Sequence, residues 1–138
     1  MNIFYHTEDL NFNPKDWENT SNWLKEAIEN EAKECGELNF IFCSDTYLLK
    51  INREYLNHDT YTDIITLDYV DGQLITGDIF ISIDRVKENA DLYQVEFEKE
   101  LSRVLIHGIL HLIGYNDDNE ANTVEIRAKE DYYLSIKK

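Results

Sequence analysis

The sequence predicts an α+β domain: a small, mixed four-stranded sheet with helices packed on it and a metal site at the end of a buried helix. Three observations lead there. Short β-rich segments alternate with helical periodicity through the first half of the chain. Two β-branched segments then follow one another with only Asp71-Gly72 as the turn signal between them, as in a hairpin. The last part is helical, and one of its helices is apolar nearly all round. The resulting order, β-α-β-α-β-β-α-α-α, suits helices layered on a sheet.

Each element has its own signal. Residues 3–6 form a short strand. Residues 16–34 form an amphipathic helix, with Trp17, Thr20, Trp23, Leu24, Ala27, Ile28 and Ala32 near helical spacing, Pro14 at its start and Gly36 as its stop. Residues 38–43 alternate as a strand. Ser44 is an N-cap for a helix over 45–56, where Leu48, Leu49, Ile51, Tyr55 and Leu56 are apolar. Residues 57–61 are a polar loop. Strands over 63–70 and 74–83 flank the hairpin. Helices follow over 84–93, 96–113 and 121–136, the second ended by Gly114.

Composition limits the functional classes. At 138 residues with 43% hydrophobic content, the chain can build one core as a single domain over 1–138 without disulfides. Cys35 and Cys43, in no CxxC arrangement, read as small reduced residues. No basic, then apolar N-terminal segment marks a signal peptide, and no stretch approaches the ~20 apolar residues of a membrane span, so the expected location is cytoplasmic. The net charge of -15 argues against broad affinity for nucleic acid or anionic membrane, but not against a local basic surface.

The informative stretch is His107-Gly108-Ile109-Leu110-His111-Leu112-Ile113-Gly114-Tyr115-Asn116-Asp117-Asp118. Histidines four apart on a helix share a face one turn apart, so both rings can reach one ion. Gly114 can end the helix and let the chain return with a third ligand. Asp117 is the natural candidate, and Asp118 the alternative if the turn is one residue longer. Three protein ligands leave a position for water, the usual arrangement of catalytic zinc. Two imidazoles in an apolar helix also need partners, and a metal would satisfy both. Gly108 stands where a zinc protease of the HExxH type has its glutamate base, which argues against peptide hydrolysis. It reads as a site of close packing, or as space for a large substrate.

At this point the sequence resembles the YbeY family of rRNA maturation factors, metal-dependent endoribonucleases. The family motif HGxLHLxGYDH is matched from His107 through Tyr115. Upstream, Asn52, Tyr55, Asp59 and Thr62-Asp63-Ile64-Ile65-Thr66 are similar to the family segment N-x-x-Y…T-D-V-L-S. Gly77-Asp78-Ile79-Phe80-Ile81-Ser82 is similar to its GDI-x-I-S strand, and Glu100 sits where many members carry Glu. Two positions depart from the pattern. Asp117 stands in the register of a ligand that is usually His, with Asn116 in place of the preceding Asp. Leu56 stands where the family has an Arg thought to hold phosphate. An anionic oxygen in place of imidazole lowers the site charge by one, makes bound water less acidic and favours harder ions.

The resemblance implies a single-strand endoribonuclease acting in 16S rRNA 3′-end maturation and small-subunit assembly. Its cofactor would be one divalent metal, zinc by preference, on His107, His111 and Asp117. Arg53 or Arg103 would replace the missing Arg. Thr62, Asp63, Asp78 and His58 are the candidate substrate-binding residues. Tyr115 reads as helix-end packing and His6 as a strand-end residue. The expected partners are ribosomal RNA and small-subunit ribosomal proteins, whose basic surfaces suit an acidic protein; the oligomeric state is open. The alternative is a non-catalytic assembly factor that binds preribosomes and uses the metal structurally.

Overall fold

The computed structural model describes residues 2–13, 15–58 and 62–138. Its elements are β1 (Ile3–Thr7), α1 (Trp17–Asn30), β2 (Glu34–Cys43), α2 (Asp45–Leu56), β3 (Ile64–Asp68), β4 (Leu74–Ser82), α3 (Ile83–Tyr93), α4 (Phe97–Ile113) and α5 (Glu120–Ile136). The order is the predicted one. The four strands lie as β1-β2-β4-β3. β1 and β2, and β2 and β4, pair in parallel, and β3 closes back antiparallel on β4. The sheet is therefore mixed, with β3 at one edge beside the hairpin turn, where Gly72 takes a φ of 61°.

Side chains alternate across a strand, so the sheet has two different faces. On one, Phe40, Phe42, Ile75, Ile79 and Ile81 pack with Leu24 and Ile28 of α1 and with Leu105 and Ile109 of α4. On the other, Cys43 and Ile65 meet Leu48 and Ile51 of α2, with Phe80 and Leu67 beside them. Helix α4 is the central piece of the thicker layer. Gly108 is what lets it lie so close to the sheet. A Cβ there would stand 3.0 Å from Ile64 Cδ1 and 3.2 Å from Ile79 Cγ2. The missing side chain therefore serves helix–sheet packing. It does not open space for substrate.

Two boundaries, the end of α1 and the start of β2, differ from expectation by more than two residues. α1 ends at Asn30, and Ala32 takes the left-handed conformation with φ 61°. Lys33 N–H then donates to Ile28 O at 3.1 Å, which closes the helix before Gly36 is reached. Gly36 lies inside β2, where the register with β4 shifts between Cys35 and Leu38. A Cβ at that point would be 2.6 Å from Thr76 Oγ1, so the glycine permits strand approach rather than a helix stop. Ser44 caps α2 as expected, accepting from Tyr47 N at 3.1 Å. Pro14, Asp59 and the end of the 57–61 loop lie outside the described residues.

α5 is attached differently from the other helices. It buries only Ile126, Glu130 and Tyr133. Trp23 Nε1 donates to Tyr133 O at 2.8 Å. Glu31, at the end of α1, accepts from Tyr115 Oη at 2.6 Å, from Tyr133 Oη, and from Lys129 Nζ at 3.2 Å. Burial pushes the Glu31 carboxyl up, but the three donors outweigh it and hold the group below the usual carboxylate range. Tyr115 thus packs at the end of α4, as expected.

Gly108→Val should cost about 1–3 kcal/mol by overpacking, read as a lower urea midpoint with an unchanged slope. Because its folded-state affinity for a proton is depressed, Glu31 contributes stability above the carboxylate range and loses it as pH falls through its lowered value. The melting temperatures of wild type and Glu31→Gln should therefore differ most near neutral pH and converge in acid. A gap that persists unchanged into acid would refute the assignment.

Candidate metal centre

α4 carries His107 and His111 toward the β3 edge of the sheet. Gly114 ends the helix with a φ of 130°, donating its N–H to Leu110 O and His111 O at 3.1 Å. The chain then returns past Asn116 to the start of α5. Asn116 Oδ1 accepts from Asn122 Nδ2 at 2.6 Å and from Asp118 N at 3.2 Å, which fixes the return. His107, His111 and Asp117 consequently line one cleft of about 400 Å³, together with Leu56, Thr62, Asp63 and the first residues of β3. Asp118 lines neither this cleft nor the cavity beside it, so the geometry favours Asp117 as the third donor.

His107 is held by a residue that no local motif marks. Glu130 of α5 is only 3% exposed. Its Oε2 lies 2.7 Å from His107 Nδ1, and its Oε1 accepts from Arg103 Nη1 at 2.9 Å. Arg103 also reaches Asp131 Oδ1 at 2.8 Å. A carboxylate on Nδ1 fixes the ring and leaves Nε2 as its other nitrogen, the arrangement that orients imidazoles toward metals. Burial lowers the proton affinity of His107, but the bond and charge of Glu130, with Asp117 and Asp63 behind, outweigh this and raise it. Burial pushes Glu130 up, yet His107 and Arg103 pull it below the carboxylate range.

The donor chemistry, two imidazoles and a carboxylate, suits a divalent ion. The donors share a cleft without being drawn together. Among the described residues, no three His, Cys, Asp or Glu side chains already form a set able to hold an ion. The two rings also differ in burial, contrary to expectation. His107 is partly buried, with its partner in Glu130, but His111 and Asp117 are exposed. The need to satisfy two buried rings therefore does not arise.

The other expected residues divide. Asp63 lines both the cleft and an adjoining cavity of about 210 Å³ that shares His107 and Asp117, and Thr62 lines the cleft. Asp78 is not brought there. It alternates with Ile79, which faces Gly108, so it lies across the sheet, accepting from Asn39 Nδ2 at 3.2 Å and Tyr69 Oη at 3.3 Å. His58 and Arg53 are exposed near the end of α2 and line neither space. Arg103 is engaged by two carboxylates. Leu56 lines the cleft itself, so the position of the family Arg is at the site but carries no charge. His6 sits in β1 with Nε2 2.9 Å from Asn39 Oδ1. Glu130, Arg127, Asn89 and Tyr93, all lining the inner cavity, were missed. They come from helices with no local motif.

The fold and cleft define a class of protein: an α+β domain with a carboxylate-anchored histidine on a buried helix. Comparison places it more narrowly. The model of the Endoribonuclease YbeY family matches residues 2–137. The Endoribonuclease YbeY of Flavobacterium johnsoniae is 51% identical over 136 residues, covering 99% of this chain and 96% of the relative. That of Flavobacterium psychrophilum is 50% identical over 128 residues, covering 93% and 91%. The solution structure of a Thermotoga maritima protein superposes with a TM-score of 0.69 at 30% identity, covering 96% of this chain and 87% of that one. The chain belongs to the YbeY family of endoribonucleases. Among the described residues, no helix is long and apolar enough to cross a membrane.

Glu130→Gln keeps the shape of the side chain but removes a buried charge bonded to two partners. It should destabilise the protein by about 1.5–3 kcal/mol, measured by denaturant unfolding. An unchanged midpoint would show that the buried network does not hold α5 to α4.

Proposed function

We propose that the chain is a metal-dependent endoribonuclease for single-stranded RNA, acting in 16S rRNA 3′-end maturation and small-subunit assembly in the cytoplasm. The observation that supports metal dependence is the His107–Glu130 bond, which fixes one imidazole beside His111 and Asp117. A divalent ion, zinc by donor set, supplies electrophilic activation of the phosphate and a more acidic water when bound.

The chain's own residues do the rest. Glu130 holds the proton of His107 on Nδ1 and keeps the ring from turning. Leu56 and Ile64 give the cleft an apolar wall beside the donors. Asp63 stands between cleft and inner cavity, where it can orient a nucleophile or a ribose hydroxyl. Arg127 lines the inner cavity as a cation for phosphate. The net charge of -15 makes free RNA a poor partner at long range. Recognition inside a ribosomal particle, against basic small-subunit proteins, fits that charge better.

One observation favours a second reading. The family's phosphate-holding Arg is Leu56 here, inside the cleft, and Arg103 is committed to Glu130 and Asp131. A cleft short of cations suits an assembly factor that binds preribosomes and uses metal structurally. One variant separates the two. Losing a partner of a metal-bound histidine typically costs about 10–100-fold, and losing the histidine itself costs more. His107→Ala should therefore cut single-stranded RNA at least about 100-fold more slowly than wild type with zinc present, while remaining folded by circular dichroism. Unchanged cleavage would sink the metal mechanism. Lost cleavage with full support of ribosome maturation would favour the assembly factor.

A further inference from the structure

Glu100 is 5% exposed, and among the described residues no hydrogen bond or ion pair reaches its carboxyl. It nevertheless lines two adjoining cavities, of about 210 and 200 Å³, which also share Tyr93, Arg103 and Arg127. An enclosed space of about 150 Å³ holds a benzene ring, so this pair of cavities has room for a flat heterocycle. Burial pushes the Glu100 carboxyl up, and Arg103 and Arg127 pull it back only in part. Among the described residues no fully buried side-chain oxygen lacks a partner, so the Glu100 carboxyl opens on these cavities, where it can accept from a ligand.

Two roles for such a group can be separated by distance. Glu100 and His107 are seven residues apart on α4, and at 1.5 Å rise per residue that is about 10 Å along the helix. An acid or base acting on the scissile phosphate must come within about 3 Å of the atom it serves. That rise sets Glu100 toward the opposite end of the inner cavity from His107, a position suited to holding a neighbouring base rather than to serving the scissile phosphate. Asn89 and Tyr93, one turn apart on α3, form the opposite wall. Tyr93 is 55% exposed, which leaves it accessible as a stacking platform. An ionised carboxylate only accepts, and the Watson–Crick edge of guanine offers it two adjacent N–H donors.

We propose that the space between α3, α4 and α5 is a guanine subsite, in which Glu100 accepts from the Watson–Crick edge, Tyr93 stacks on the ring and Arg127 meets the flanking phosphate. Its place in catalysis rests on the RNA-cleaving reading above. The recognition itself can be tested without cleavage. Guanosine, adenosine, cytidine and uridine 5′-monophosphates are titrated into the ¹⁵N-labelled full chain, and amide shifts are followed. A bidentate pair predicts about 5- to 100-fold tighter binding of the guanine nucleotide, with shifts on α3, α4 and α5. Glu100→Gln, which is isosteric, should abolish that preference. Tyr93→Ala should weaken all four nucleotides alike.

Equal affinities for the four nucleotides would overturn the proposal. So would a preference that survives Glu100→Gln, or shifts confined to the β3 edge. The two hypotheses fail separately. RNA cut with zinc without regard to guanine leaves the endoribonuclease reading standing and removes the subsite. Selective guanine binding without any cleavage does the reverse.

Discussion

The buried carboxylate of Glu130 is the constraint on which the site depends. Taking a carboxylate out of water costs several kcal/mol unless its oxygens are fully engaged. Here one oxygen faces Arg103 and the other faces His107. The same two bonds tie α5 to α4, which has no broad apolar seam with it. Position and chemistry are thus joined in one group. One of the side chains that hold the last helix down is also the one that aims the imidazole.

A second constraint comes from the sheet. α4 lies tightly against β3 and β4 where Gly108 lacks a Cβ, and that closeness brings His107 and His111 to the open edge beside β3. The antiparallel return of β3 supplies the other wall. The same alternation that builds the wall removes Asp78 from it, since a residue beside Ile79 must face the far layer. The motif positions of a family segment therefore serve different ends. Asp63 faces the cleft, whereas Asp78 organises polar contacts with Asn39 and Tyr69.

Much of this was legible in the sequence. Nine elements in the right order came from periodicity, the Ser44 cap, the Asp71-Gly72 turn and Gly114, all of them local signals. Gly36 misled because a glycine after a helix reads as a stop, and only the strand pairing reveals that Thr76 needs the space. The true stop, Ala32 with positive φ, is a residue type that gives no warning. His107, His111 and Asp117 were singled out by spacing and do line one cleft, but the burial attributed to both rings holds for one only. Glu130 was illegible because its partners are 23 and 27 residues away and its helix is polar on most sides. Glu100 could be noted by position, but its isolation from donors is a property of packing.

The thin attachment of α5 carries a consequence for the order in which the protein comes apart. Free energies of opening vary across a fold, and segments with few buried apolar contacts open below the global limit. α5 rests on two buried apolar side chains, Ile126 and Tyr133, on the partly buried Leu134 and Ile136, and on a set of polar bonds, while the sheet and α4 share the main core. Detachment of the last helix would release the imidazole ring with most of the core still closed. Native-state hydrogen exchange would register this as a separate cooperative unit. The site then behaves as the least durable part of a durable domain, disassembled by an excursion that leaves the sheet untouched.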